Sequence, residues 1–415
     1  MTEQRNRDIL THLFETAVAA VSATKTLPQH LPPAPKGRTV MIAVGKAAAA
    51  MAHVALAHRP DIVRGLVIMP YGHGGKDCAF SEGIEVMEAR HPVPDEEGMK
   101  AAQLALSMVE GLGVDDQLLA LISGGGSALL VLPAQGISLA QKQDITRKLL
   151  KSGATITEIN NVRSSLSRIK GGRLARAALP AEVISLVISD VPGDDAAYVA
   201  SGPTVIGGIS VEDGLKVLTK YNISAVLSRG QNTGVDSSRC QTTVIATADQ
   251  ALKAAVMLGK AHGYQVTSLG GAVEGEAVDV ARDQAKMALR MAETGQPSLL
   301  LSGGETTVTL AGGVAGRGGR NCQYLLALAL ALDGAADIYA IACDTDGIDG
   351  TEDNAGAVIT PTTLDRARAL GLEAEACLEG HDSYGFFERL GDLILTGPTL
   401  TNVNDFRAIL IHPMK

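Results

Sequence analysis

The sequence predicts an α/β fold in two domains, the first of them a doubly wound parallel sheet. Three observations carry that prediction. Short apolar strands alternate with helical segments through most of the chain, the pattern of a sheet with helices on its faces. The strands run out into glycine- or aspartate-bearing turns, and ligands of such sheets bind outside the carboxyl ends of the strands. At 415 residues the chain is too long for one ordinary core.

Residues Arg7–Thr24 carry Ile9, Leu10, Leu13, Phe14, Ala17, Val18 and Val21 at helical spacing, a stripe that should dock on a neighbouring layer. The prolines of LPQHLPPAPKG forbid helix and lead into a strand, Thr39–Val44. That strand ends at Gly45-Lys46, and AAAAMAHVALA then forms a helix whose small side chains allow close packing on a sheet. Gly65–Pro70 and Ile84–Met87 are further strands, and a helix over 95–110 precedes LLALISGGGS, Leu118–Ser127. There a buried strand breaks into three glycines bracketed by serines. Thr157–Ala178 reads as one long basic helix interrupted at Gly171-Gly172, and the strand Glu182–Ile188 ends in SDVPGDD.

The turn-rich stretch 220–239 marks a boundary, giving domains 1–238 and 239–415. Beyond it come strand Thr242–Ala246, a helix, strand Gln265–Leu269, helix Glu276–Ala292 and strand Ser298–Leu301, whose SGGE end repeats the glycine device. The helix CQYLLALALAL, the strand Asp337–Ala342, the acidic loop CDTDGIDGTEDNAG and the segments DLILTG and TLTNVND close the chain.

Composition excludes several classes of function. A net charge of −9 disfavours a nucleic-acid or anionic-membrane surface, which needs a broad basic patch. Aromatic residues at 3% and the lack of Trp argue against a base-stacking platform. The five cysteines (Cys78, Cys240, Cys322, Cys343, Cys377) form no C-x-x-C, so neither a zinc site nor a disulfide framework is indicated. They read as reduced thiols of a cytoplasmic protein, and no run approaches the roughly 20 apolar residues of a membrane helix.

Lys46, after Gly45 and at a helix start, is either an anchor for phosphate or carboxylate or an exposed lysine. In Ser123, Gly124, Gly125, Gly126 and Ser127, three glycines exceed what a tight turn needs, which favours close approach of an anion to backbone N–H groups. Leu129 stands where both a hydrolase elbow and a dinucleotide fingerprint need glycine, and no Walker A loop occurs. Asn161, Arg163 and Lys170 lie in a run crowded with cations, suited to a carboxylate or simply a solvated face. Asp190 is a turn former, or the group that orients a hydroxyl or ligates Mg²⁺. Arg317, Arg320 and Asn321 follow glycines that would let a guanidinium meet phosphate oxygens, and Gly303, Gly304 and Glu305 form the second glycine turn. Asp344, Asp346 and Asp349 suit Mg²⁺ with phosphate, although the EF-hand spacing fails and turn formation is the alternative. Cations for anions, carboxylates at strand ends and no dedicated nucleophile together fit phosphoryl transfer better than acyl transfer.

The runs LISGGGSALL, NNVRSSLSRIKGGRLA, VISDVPGDDAAYVASGPTV, LSGGETTVTL, GRGGRNCQYLLALAL, ACDTDGIDGTEDNAGAV and TGPTLTNVNDF resemble the glycerate 2-kinases, class II glycerate kinases with a MOFRL C-terminal domain. The resemblance spans nearly the whole chain. It implies a Rossmann-like N-terminal domain, a C-terminal α/β (MOFRL) domain and an active site in the cleft between them. It also implies transfer of the γ-phosphoryl group of ATP to the 2-hydroxyl of D-glycerate, with Mg²⁺, giving 2-phosphoglycerate. On the matching motifs, Lys46 and Arg320 are expected to neutralise the transferring phosphoryl group and Asp190 to orient or deprotonate the hydroxyl. Asp190, Asp344, Asp346 and Asp349 are the metal candidates, and Gly45, the 123–127 loop, Asn161, Arg163, Lys170, Gly303–Glu305, Arg317 and Asn321 the substrate and nucleotide contacts. Ser164-Ser165 departs from the family, whose members often carry Lys and His there. Members are also labelled hydroxypyruvate reductases of tartrate utilisation, so an NAD(P)H-dependent reductase is the competing expectation; no G-x-G-x-x-G follows the first strand to support it. The expected partners are small molecules, with room for a homodimer.

Overall fold

The computed structural model describes residues 3–74, 79–152, 154, 156–207, 211–224, 237–309 and 316–413. Cys78, most of the expected boundary at 220–239 and residues 311–315 of the AGGVAGRGGRN loop lie outside them. The chain forms two compact units, residues 23–246 and residues 1–22 together with 247–415. The first helix, α1 (Glu3–Ala20), therefore belongs with the C-terminal unit, where its stripe of Leu10, Leu13, Phe14 and Ala17 is buried.

In the unit 23–246, a short α2 (Ala23–Thr26) leads to the strands β1 (Thr39–Val44), β2 (Arg64–Pro70), β3 (Ile84–Ala89), β4 (Gln117–Ile122), β5 (Glu182–Ile188) and β6 (Cys240–Ala246). They form one parallel sheet in the order β3-β2-β1-β4-β5-β6. The strands β1 and β4 are buried throughout, as strands covered on both faces must be. The helices α3 (Ala48–His58), α4 (Glu96–Val109), the single turn α5 (Gly126–Leu129), α6 (Leu139–Lys151), α7 (Ile156–Ser165), α8 (Arg173–Ala178) and α9 (Val211–Lys220) connect and cover it. Alanines of α4 and Leu174 of α8 close over Val40, Ile42, Leu118 and Val183. The order of strands reverses between β1 and β4, the place where such sheets take their ligands.

Two local readings change. Thr242–Ala246, expected past the boundary at 238, completes the first sheet, because β6 pairs with β5 from Val183↔Cys240 to Ile188↔Ala246. The long helix over 157–178 is two helices, α7 and α8. Between them the chain leaves the helix, with Arg168 N–H donating to the Leu132 carbonyl and Gly171 N–H to the Ser201 carbonyl.

The C-terminal unit adds α10 (Ala248–Ala261), β7 (Gln265–Ser268), β8 (Gly275–Glu276), α11 (Ala277–Ala292), β9 (Ser298–Gly304), β10 (Thr306–Thr307), α12 (Arg320–Leu332), β11 (Ile338–Asp344), β12 (Gly356–Ile359), β13 (Leu393–Ile394) and β14 (Asp405–Ile411), with three short helices between β12 and β13. Its main sheet is mixed, β13-β12-β11-β14-β9-β7, with only β7 and β9 parallel; β8 and β10 pair separately. The central strand β14 runs against both neighbours, so its first residue meets their last ones: Asp405 stands opposite Gly304 of β9 and Asp344 of β11. Leu300, Tyr324, Leu328, Ala340 and Ile409 share the core of this unit. No helix among the described residues is long and apolar enough to cross a membrane.

Candidate active site

The turns after β1 and β4 are built onto each other. Lys46 N–H donates to the Gly124 carbonyl (2.9 Å) and Ala47 N–H to Ser123 Oγ (3.0 Å). Gly45 holds φ at +120°, and a Cβ there would stand 2.2 Å from Ser123 Oγ, so only glycine lets the two turns close. Ser123 is fully buried and its hydroxyl serves this turn. Gly124 and Gly126 are buried as well, which leaves Gly125 and Ser127 as the half-buried members of the loop. Gly125 is left-handed (φ +79°), and a Cβ there would press on the His91 ring at 3.2 Å and the Lys46 stem at 3.4 Å. The SGGGS run is thus mainly a device for packing two strand ends, with its outer half able to meet a ligand. Asp190 follows β5 at the same end of the sheet, so the ends of β1, β4 and β5 bring Lys46, Ser127 and Asp190 to one edge.

Behind Ser127 lies a cationic cavity. Lys170, 1% exposed, donates to Ser127 Oγ (2.7 Å) and to the Ser127 carbonyl, and Ser127 Oγ lies 2.9 Å from Ser201 Oγ. Lys142, 4% exposed, donates to the carbonyls of Arg163 (3.1 Å) and Leu166 (3.0 Å). Arg173 donates to the carbonyls of Ser164 and Lys170. Burial first, then the charges of Arg163 and Arg173, draw the Lys142 ammonium down to about 7. Burial, Lys142 and Arg163 likewise hold Lys170 well below its ordinary value. Asn161 sits half-buried on α7 near Arg163, and its carbonyl accepts from Ser165 Oγ (2.8 Å). Ser164 is buried with its hydroxyl on the Ser201 carbonyl (3.3 Å), so the departure at 164–165 is absorbed by packing.

In the C-terminal unit, Arg320 opens α12 inside a ring of carboxylates. Its guanidinium donates to Asp405 (2.8 Å), Asp344 (2.8 Å) and Glu305 (2.5 Å). Burial alone would weaken its charge, but Asp405, Asp344 and Glu305 outweigh that and raise its pKa well above the usual range. Asp405 is shared with the fully buried Arg407. Burial pushes the Asp405 carboxyl up, and the guanidinia of Arg320 and Arg407 overcome this and hold it below the ordinary value. Asn321 Nδ2 also donates to Asp405 (2.8 Å).

The remaining predicted residues play quieter parts. Gly303 and Gly304 do not form a turn; they complete β9, pairing with Phe406 and Asp405 of β14. Arg317 lies on the surface, paired with Glu352 and Glu388 and 4.2 Å above the Tyr384 ring. Asp349 is a buried cap: its carboxylate accepts the backbone N–H groups of Asn321 and Cys322, both at 2.9 Å.

Of the aspartates expected to hold Mg²⁺, those of the acidic loop (Asp344, Asp346 and Asp349) are engaged by the protein itself. Both oxygens of Asp349 are taken by α12, Asp344 accepts from Arg320 and from Asp346 N–H, and Asp346 accepts from Ile348 N–H (2.8 Å). Among the described residues no three His, Cys, Asp or Glu side chains group as metal ligands. Sequence reasoning missed Lys142, Asp405 and Arg407. Asp405 stood in the recognised TNVNDF run, whereas Lys142, in AQKQD, carries no signal of burial at all.

Comparison with known proteins gives the arrangement its context. Residues 9–231 match a domain of unknown function, DUF4147, and residues 298–405 match the MOFRL family. A protein of Agrobacterium vitis with the provisional name hydroxypyruvate reductase is 47% identical over 98% of this chain and 94% of its own. The D-glycerate 2-kinase of Thermotoga maritima is 37% identical over 95% of this chain and 95% of its own. A crystal structure of glycerate kinase from the same organism superimposes with a TM-score of 0.85 at 35% identity, covering 98% of this chain and 100% of that one.

Proposed function

The chain belongs to the family of glycerate kinases that carry a MOFRL domain, and from that premise we propose that it phosphorylates D-glycerate at the 2-hydroxyl with ATP, giving 2-phosphoglycerate and ADP. The observation that carries the reading is the edge of the first sheet, where one lysine and one carboxylate flank β4 at the switch point. The names of the relatives supply the substrate.

In this reaction the substrate hydroxyl oxygen attacks the γ-phosphorus, the bond to the bridging oxygen of ADP breaks, and the hydroxyl proton leaves. Asp190 is the group in place to take that proton or aim the hydroxyl. Lys46, pinned at the base of its side chain by the β1–β4 turns, neutralises charge on the transferring phosphoryl group. Arg320, expected to share that role, has its fork taken up by Asp405, Asp344 and Glu305, and we assign it to holding the C-terminal unit together. Mg²⁺ arrives with ATP as part of the substrate.

Incubation with Mg-ATP and D-glycerate tests the reading, with ADP release followed and the phosphorylated carbon located by NMR. ADP release with phosphate on C2 supports it. NADH consumption with hydroxypyruvate and no ADP release overturns it in favour of the reductase. Asp190→Asn is expected to lower kcat by about 10²- to 10⁴-fold. An unchanged kcat across pH would remove Asp190 from the proton-transfer step.

A further inference from the structure

We propose that the cavity beside Ser127 seats the carboxylate of the small hydroxy-acid substrate, and that Lys142 is a substrate-binding residue there. The proposal rests on the glycerate kinase reading and deepens it by separating the site of the acid from that of the nucleotide phosphates.

The cavity measures about 440 Å³, near the lower end for small-molecule sites. One wall is apolar, made by Pro92, Val93, Pro94, Ala128 and Val131; the other presents Lys142, Arg163, Lys170 and Ser127. No carboxylate is among the described residues that line it. The two ammonium groups are almost completely buried, yet their hydrogen bonds run to neutral carbonyls and a hydroxyl. Buried charge without a counter-charge is costly, and a buried ion pair is stable only when it is complete. The set therefore lacks one negative group, and a ligand carboxylate supplies it. A short acid suits the geometry better than a triphosphate: the cations are recessed behind Ser127, the apolar wall matches a carbon chain, and the volume is small. Ser127 then joins the two halves of the site, since it touches Lys170 on one side and follows the β4 loop beside Lys46 on the other.

The electrostatics of the cavity support this. The charged groups facing Lys142 are Arg163 from α7, Arg173 from α8 and Lys170 between these helices, with Arg147 of α6 at the rim; Asp144 of α6 pairs with Lys148 (2.7 Å). Burial and the neighbouring cations all oppose the charge of Lys142, so with a pKa of about 7 it is largely neutral at pH 8. A carboxylate bound beside it reverses the balance, and binding takes up a proton.

Isothermal titration of the full-length protein at pH 8, in two buffers of different ionisation enthalpy, tests the proposal. D-glycerate is one titrant and ADP with Mg²⁺ the other. Glycerate binding is expected to take up protons and ADP binding is not. Lys142→Met is expected to weaken glycerate about 10- to 100-fold, lower the uptake and leave ADP affinity within about twofold. Lys142→Arg, which keeps a charge that does not titrate, should retain binding with less proton uptake than the wild type, the remainder coming from Lys170, and a folded Lys142→Arg keeps the test valid if Lys142→Met does not fold. Glycerate affinity and uptake unchanged in both variants would overturn the proposal. Loss of ADP binding with glycerate intact would instead give the cavity to the nucleotide phosphates. If glycerate fails to bind but hydroxypyruvate binds with proton uptake, the kinase reading falls and the carboxylate seat stands. If neither acid binds, the seat falls.

Discussion

Two regions of this molecule bury cations, and they treat them in opposite ways. In the unit 23–246, Lys142 and Lys170 lie against carbonyls and a hydroxyl, and their pKa values fall. In the C-terminal unit, Arg320 is ringed by Asp405, Asp344 and Glu305, and its pKa rises. The difference lies in whether the protein itself supplies the counter-charge, and on the proposed reading it separates a structural cation from a ligand-binding one. A guanidinium that already holds its carboxylates is part of the fold; an ammonium that lacks one is a site awaiting an anion.

The comparison can be broken in order of effect. Arg320→Met would leave Asp405, Asp344 and Glu305 without their shared partner, and the expected loss is about 3–5 kcal/mol of stability, read from denaturant midpoints. A midpoint that barely moves would mean that the ring does not depend on Arg320. Lys46→Met should leave the fold intact and lower kcat by about 10²- to 10³-fold, the scale of losing one group that stabilises developing charge. Full turnover in that variant would return Lys46 to the role of a surface lysine.

The pH dependence of stability is the most discriminating measurement. Lys142 has a folded pKa near 7, below its ordinary value of 10.5, so between those values the unfolded chain binds more protons than the native one. Native stability therefore climbs with pH across that window, and the penalty of burying the ammonium is complete below it. Lys142→Met should flatten the climb and, near pH 6, equal or exceed the wild type in stability. Destabilisation of Lys142→Met at pH 6 would show that the ammonium is a structural partner like Arg320, and the contrast between the two regions would collapse.

Much of the first sheet was legible. Strand ends at Val44, Ile122 and Ile188 followed from apolar runs meeting glycine or aspartate, because a covered strand must be apolar and its exit must turn. Lys46, Asp190 and the loop at 123–127 fell out of the same pattern. The split of the basic segment into α7 and α8 did not, since contacts of Arg168 and Gly171 with residues distant in sequence decide where the helix stops. The placement of β6 was hidden for a related reason: pairing with β5 sets Cys240 against Val183, a partner far back in the chain, and local pattern cannot choose between sheets. Gly303-Gly304 misled because the motif of a turn also suits the end of a strand.

By itself the sequence determined the α/β class, the strand-end positions of Lys46, Asp190 and the 123–127 loop, and the family, all of which depend on local periodicity and contiguous motifs. Only the tertiary structure decided which charges are satisfied. It placed Asp405 at the start of an antiparallel strand between Gly304 and Asp344, and buried Lys142 among cations. The physical reason is that the free energy of a charge depends on what surrounds it in space, and those neighbours come from segments far apart in the chain.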